Sequence, residues 1–245
     1  MTLRSPCRAA ALLAALLLAR QAAAQEAPPP RTRTTVDVGF VSASGNTRLR
    51  TLTAAEQFVF RAAPWTLTQT LAIVNGSSAG IETANTIRAG VRADFALSAH
   101  LRLYALGLYE RNRFAGIARR FEEQAGASYG ALVGPRHILE IEAGVGRNEQ
   151  TSPAAKVTDF WLGRAAAHYR FTFRPNAYLD EKLELLQSLQ SGPERRINSD
   201  AALVAPLSSR IALRFGYTIH FVNQPPDSTY QKTDQIVSSG IQIIF

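Results

Sequence analysis

Cysteine is nearly missing from this chain. A single Cys7 among 245 residues excludes a disulfide framework and a thiolate metal centre, each of which needs at least a pair. Lysine is almost as scarce, three residues against 24 arginines, and no consecutive basic run or basic stretch interleaved with aromatics occurs, so nucleic acid is not an expected partner. Long apolar runs are lacking too. The longest covers residues 9–19, short of the roughly 20 that a membrane-spanning helix requires. With four histidines, imidazole chemistry has few places to occur. No stretch of the remaining sequence has the 3.6-residue period of an amphipathic helix.

What is present begins with an export signal. Arg4 and Arg8 precede the apolar run, and Ala22-Ala23-Ala24 supplies the small residues that a signal peptidase accepts. Residues 1–24 are therefore expected to be a signal peptide. Its removal takes Cys7 and three arginines, lowering the formal charge from +8 to +5. A Pro-rich lead, residues 25–33, is expected to be flexible. Residues 34–245 show no break in composition and read as one domain.

Period-two alternation runs through that domain. In "IALRFGYTIHFV", Ile211, Leu213, Phe215, Tyr217, Ile219 and Phe221 point one way, and Arg214, Gly216, Thr218 and His220 the other. In "TIRAGVRADFAL", Arg88, Arg92 and Asp94 oppose Ile87, Val91 and Phe95; in "HILEIEAGVG", Glu140 and Glu142 oppose Leu139, Ile141 and Val145. The pattern predicts about twelve strands near 34–44, 48–62, 65–78, 83–97, 101–114, 120–132, 137–150, 159–173, 177–189, 195–207, 211–223 and 233–245. Most reach the 9–11 residues that a tilted strand needs to cross a bilayer, about twice the usual length in soluble proteins.

Connections of two to four residues ("AAP", "SA", "VGPR", "RPN", "SS") alternate with longer ones such as "TSPAAKVT" and "NQPPDSTYQ". That asymmetry, an even strand count and aromatics near strand ends predict an all-β, antiparallel up-and-down transmembrane barrel of the outer-membrane type, with short turns and both termini in the periplasm. A soluble lipocalin-like barrel would share the alternation with its faces exchanged, but twelve long strands enclose more space than an apolar lining of side chains can fill. The closing "SSGIQIIF", with Ile241, Ile243 and Phe245 on one face, fits a last strand that seals against the first and carries the mark by which the barrel-assembly machinery recognises its clients.

"VDVGFVSASGNTRLRTL", "LRLYALGLYERNRFAGI" and the closing Phe resemble the salt-induced outer-membrane protein family, also called domain of unknown function 481, over residues 34–245. The resemblance implies an outer-membrane barrel in a Gram-negative envelope, with no activity or cofactor to carry over.

Chemistry is best sought in the lumen. The polar faces offer Arg88, Arg92, Asp94, Glu140, Glu142, Arg164, His168, Arg170, Asp180, Lys182, Glu184, Arg214 and His220. Acid on strand seven, base on strand eight and acid on strand nine form a pairing ladder. It serves either as a rigidifying ion-pair network or as the lining of a narrow channel for small solutes or ions. Strand five is ambiguous, because Glu110 and Arg111 cannot both face inward. A lipid-modifying hydrolase is the alternative from another class, but His168 and His220 point away from the lipid and no serine stands beside them on the outward face. No enzyme, metal or cofactor is expected; outer-membrane lipid, the assembly machinery and small solutes or ions are the expected partners.

Overall fold

The structure is a computed structural model and describes residues 30–43, 49–225 and 230–245. The expected signal peptide, most of the lead and the Gly45-Asn46-Thr47 turn lie outside the described residues. Twelve strands follow in order: β1 Thr32–Ala43, β2 Leu49–Ala62, β3 Trp65–Ser78, β4 Ile81–Ala96, β5 Leu101–Asn112, β6 Ile117–Val133, β7 His137–Thr151, β8 Val157–Arg174, β9 Ala177–Ser188, β10 Arg195–Pro206, β11 Ile211–Val222 and β12 Thr233–Ile244. Each pairs antiparallel with its neighbours in sequence, and β1 pairs with β12, closing the barrel. Reciprocal backbone bonds between Thr34 and Phe245, 3.2 and 2.9 Å, tie both ends of the barrel at one rim.

Which face is inside separates a membrane barrel from a soluble one, and here the apolar face is outside. Val237 is 82% exposed, Phe40 64% and Val91 60%, whereas Glu122 is 4% and Arg120 8%. In water that arrangement would expose apolar side chains from every strand; against hydrocarbon it leaves them in their preferred medium while the backbone is satisfied within the closed sheet. Aromatics gather toward the short-turn rim, where Trp65 packs edge-on to Phe95 and Phe171 to Phe173.

The strands reach further than the alternation predicts at the other rim. "NGSSAGIE" forms strand ends joined by a two-residue turn, because Ala79 and Gly80 take the positive φ, 51° and 85°, that a tight hairpin of matching twist requires. β6 likewise starts at Ile117, directly after a 3₁₀ turn over Arg113–Ala115. Among the described residues the longer connections on that rim are 152–156 and 189–194, and β11 and β12 are separated by the stretch between Val222 and Thr233. The lumen is also not wholly polar: Phe160, Leu162 and Leu186 form a buried apolar cluster on the inner faces of β8 and β9.

Candidate functional site: a bridged lumen

The inner face is held by three connected sets of polar contacts. Toward the long-loop rim, Glu110 of β5 accepts from Arg88 of β4 at 2.8 Å and from Arg120 of β6 at 2.7 Å. Arg120 also donates to Gln150 of β7 at 2.9 Å. Glu122 of β6 pairs with Arg196 of β10, whose guanidinium reaches Asn148 at 3.3 Å. Glu110 is thus the inward member of its doublet, and Arg111 stands at a register shift in the β5–β6 ladder.

Arg88 also spans the barrel to His220 of β11, with Nη1 2.7 Å from Nε2. An arginine can only donate, so Nε2 is the accepting nitrogen and Nδ1 carries the proton toward Asn198 Oδ1, 2.9 Å away. Asn198 in turn donates to Glu184 at 2.8 Å, linking this set to the next.

At mid-height Arg164 of β8 stands between acids on both neighbouring strands, Glu142 of β7 and Glu184 of β9, the latter at 2.6 Å. Arg92 of β4 reaches Asp94 at 2.8 Å and crosses to Glu142 at 2.7 Å. Glu140 pairs with Arg102 of β5. Tyr104 of β5 lies across β6 and β7, accepts from Arg164 at 2.9 Å and carries Arg92 over its ring at 4.4 Å. Gly126 and Gly144, opposite each other on those strands, make this passage feasible, because a Cβ on either would collide with the tyrosine hydroxyl and with neighbouring backbone.

The third set braces the seam from within. Asp180 accepts from Arg170 at 2.7 Å and lies 2.9 Å from His168 Nε2. Arg170 covers the Tyr178 ring, and the Tyr178 hydroxyl crosses from β9 to Gln242 of β12 at 3.1 Å. Gln242 then donates to Asp37 of β1 at 3.0 Å, with Arg214 3.8 Å from the same carboxylate.

Of the residues singled out in the sequence, Arg88, Arg92, Asp94, Glu140, Glu142, Arg164, His168, Lys182, Glu184 and His220 line one cavity of about 670 Å³. Arg170, Asp180 and Arg214 belong to the contacts beside it. The three-strand ladder differs from expectation in two respects. Glu140 turns to β4 and β5 instead of β8, and the carboxylate that Arg170 meets is Asp180, on one side of it. Ile241 lies on the outer face, and Phe245 is held through its backbone at the rim.

Sequence reasoning missed Tyr104, Arg120, Glu122, Arg196 and Gln242. Strict continuation of the period along "RRFEEQAG" would have found Arg120 and Glu122; nothing local announces which residue Tyr104 crosses two strands to reach.

The cavity lining balances eight basic against eight acidic side chains. Its β2–β3 side is different in kind: Gln57, Val59, Thr66, Thr68 and Thr70 line it with little charge. No serine hydroxyl bonds an imidazole among the described residues, and both strand histidines are engaged elsewhere.

The model for "Protein of unknown function, DUF481" matches residues 36–242, nearly the whole barrel. The chain belongs to the DUF481 family. This DUF481 chain is 26% identical over 203 residues to "Uncharacterized protein YdiY" of Escherichia coli strain K12, covering 82% of the chain and 78% of that relative. Among solved structures it resembles the translocator domain of autotransporter NalP from Neisseria meningitidis, with a TM-score of 0.50, 14% identity, and coverage of 98% and 96%. The NanC porin aligns with a TM-score of 0.49 and 9% identity over 86% of the chain and 97% of that protein. At such identities the NalP likeness speaks for the fold alone.

Proposed function

We propose that this DUF481 member is a narrow outer-membrane channel for small solutes or ions. In this reading residues 1–24 direct export, the closing strand through Phe245 marks the chain for the assembly machinery, and outer-membrane lipid surrounds the exposed apolar face. The observation that carries the proposal is the polar cavity beside the β2–β3 wall. There hydroxyls and Gln57 face the half-exposed guanidinium groups of Arg88 and Arg102. Polar walls that exchange hydrogen bonds with a passing solute, combined with a short-range balance of both charge signs, favour small hydrated species over bulk flow.

A structural envelope role is the second reading. Its support is the set of contacts that cross the lumen between non-adjacent strands, Arg92–Glu142, Arg196–Glu122, Arg88–His220 and Tyr178–Gln242. Reconstitution of the folded protein into a planar bilayer separates the two. Discrete small-conductance steps are expected of the channel. An electrically silent bilayer that demonstrably contains folded protein would leave the structural role, and lipid deacylation by that protein would reinstate the hydrolase.

A further inference from the structure

The outer face of β1–β3 carries an ionisable side chain near mid-height that, among the described residues, no other side chain partners. Along β2, Leu52, Ala54, Glu56, Phe58 and Phe60 alternate onto the lipid side, and Glu56 is the middle of that row, flanked across the strands by Val36 and Leu71. On β3, Gln69 is on the same face, paired with Phe58 and so diagonal to Glu56. Among the described residues neither side chain has a hydrogen-bond or ion-pair partner. Glu181, also directed outward, is by contrast partnered by Ser199 at 2.9 Å. The outward pair of Arg147 and Asp159 lies toward the long-loop ends of β7 and β8. An ionisable side chain in the apolar band, without a partner of its own, marks a surface that is covered in the membrane.

A second feature of the same wall points the same way. The β1–β12 ladder runs from Thr35 with Ile244 to Val38 with Ile241, whereas β1 pairs with β2 over its whole length, from Thr32 with Phe60 to Ala43 with Leu49. Beyond Val38 the ladder register with β12 stops, although the Gly39 backbone still lies against Ser239 and Gly240, and Phe40 and Val237 stand prominently exposed beside this part of the seam. Unpaired strand edges facing hydrocarbon are costly and are templates for association with another chain.

We propose that the β12–β1–β2–β3 wall is the interface with a second copy of this chain. A two-fold axis along the membrane normal places identical patches face to face, so each contact occurs twice with roles exchanged. The patch is self-complementary under that operation. The Gln69 amide of each copy donates to the Glu56 carboxylate of the other, Ala54 beside Glu56 permits close approach, and Phe40, Val38 and Val237 cover the seam. A lipid tail could offer Glu56 no hydrogen bond. The inference rests on the membrane orientation of the barrel and is independent of conductance, so a silent bilayer would leave it standing.

The test uses the full chain carrying Cys7→Ser, expressed into outer membranes. In that background Ala54→Cys is expected to give an oxidatively cross-linked band at twice the barrel mass, and Leu183→Cys, on β9 across the barrel, is not. Glu56→Leu should reduce the Ala54→Cys dimer at least several-fold while heat-modifiable migration shows that the barrel still folds; Glu56→Gln, which keeps the hydrogen bond to Gln69, should restore most of it. Equal cross-linking at positions 54 and 183, an undiminished dimer in Glu56→Leu, or cross-linking at position 54 to a different protein would each overturn the proposal.

Discussion

Two walls of this barrel are built from the same alternation and put their charge to opposite use. From β4 to β11 most of the acids and bases point inward and meet one another, so that Arg120, Glu122, Arg164 and Arg196 are buried among partners. Along β2 and β3 the inner face carries mostly threonines, Gln57 and Val59, and the mid-strand charge of β2, Glu56, faces out. The difference shows how a barrel of this size divides its interior. Ion pairs fill and stiffen the lumen where they reach across it, and the cavity survives along the β2–β3 wall, where threonines line it instead.

Removing one partner from the bridged wall should have the largest effect. Glu122→Ala leaves Arg196 and Arg120 buried with reduced compensation, a situation that costs about 3–5 kcal/mol; Thr68→Ala on the open wall should cost far less, since the threonine stands at the edge of a cavity. Denaturant midpoints of both variants in lipid vesicles measure the contrast. Equal losses would abolish the distinction between a stiffening wall and a bare one.

Filling the open wall should alter transport and spare stability. Thr68→Trp projects a large ring into the cavity, so the conductance step expected of the wild type should fall several-fold in a planar bilayer while the unfolding midpoint stays put. If conductance is unchanged, solutes do not follow the β2–β3 side.

The smallest effect is expected where the two walls face each other. Arg88→Gln removes a half-exposed cation from the cavity margin, yet Glu110 keeps Arg120 as its partner, so the fold should tolerate the change. The reversal potential in a salt gradient should move modestly toward cation preference. A shift toward anions would mean that other charges set the field.

Much of this architecture was legible in the amino-acid order, for a simple reason. Strand periodicity is local, so each residue's face follows from its neighbours two positions away, and the strands lie within a few residues of the alternation reading even where their outer ends extend past it. Charge doublets were the obstacle at the site. In "RRFEEQAG" and in Arg195-Arg196 the adjacent like charges take opposite faces, and the doublet itself does not tell which one is buried; only the period of the apolar residues around it does. Glu110-Arg111 hid its inward member in the same way.

By itself, then, the amino-acid order determined that twelve strands form, where they turn, and that one face is apolar and the other charged. Tertiary structure decided which non-adjacent strands meet: that Arg88 reaches His220, that Arg196 reaches Glu122, and that Tyr104 passes over Gly126 and Gly144 to Arg164. Those distances depend on barrel closure and curvature, which bring strands three to seven places apart in sequence order into contact. Because closure is a property of the whole sheet, no local pattern of residues encodes the pairs it creates.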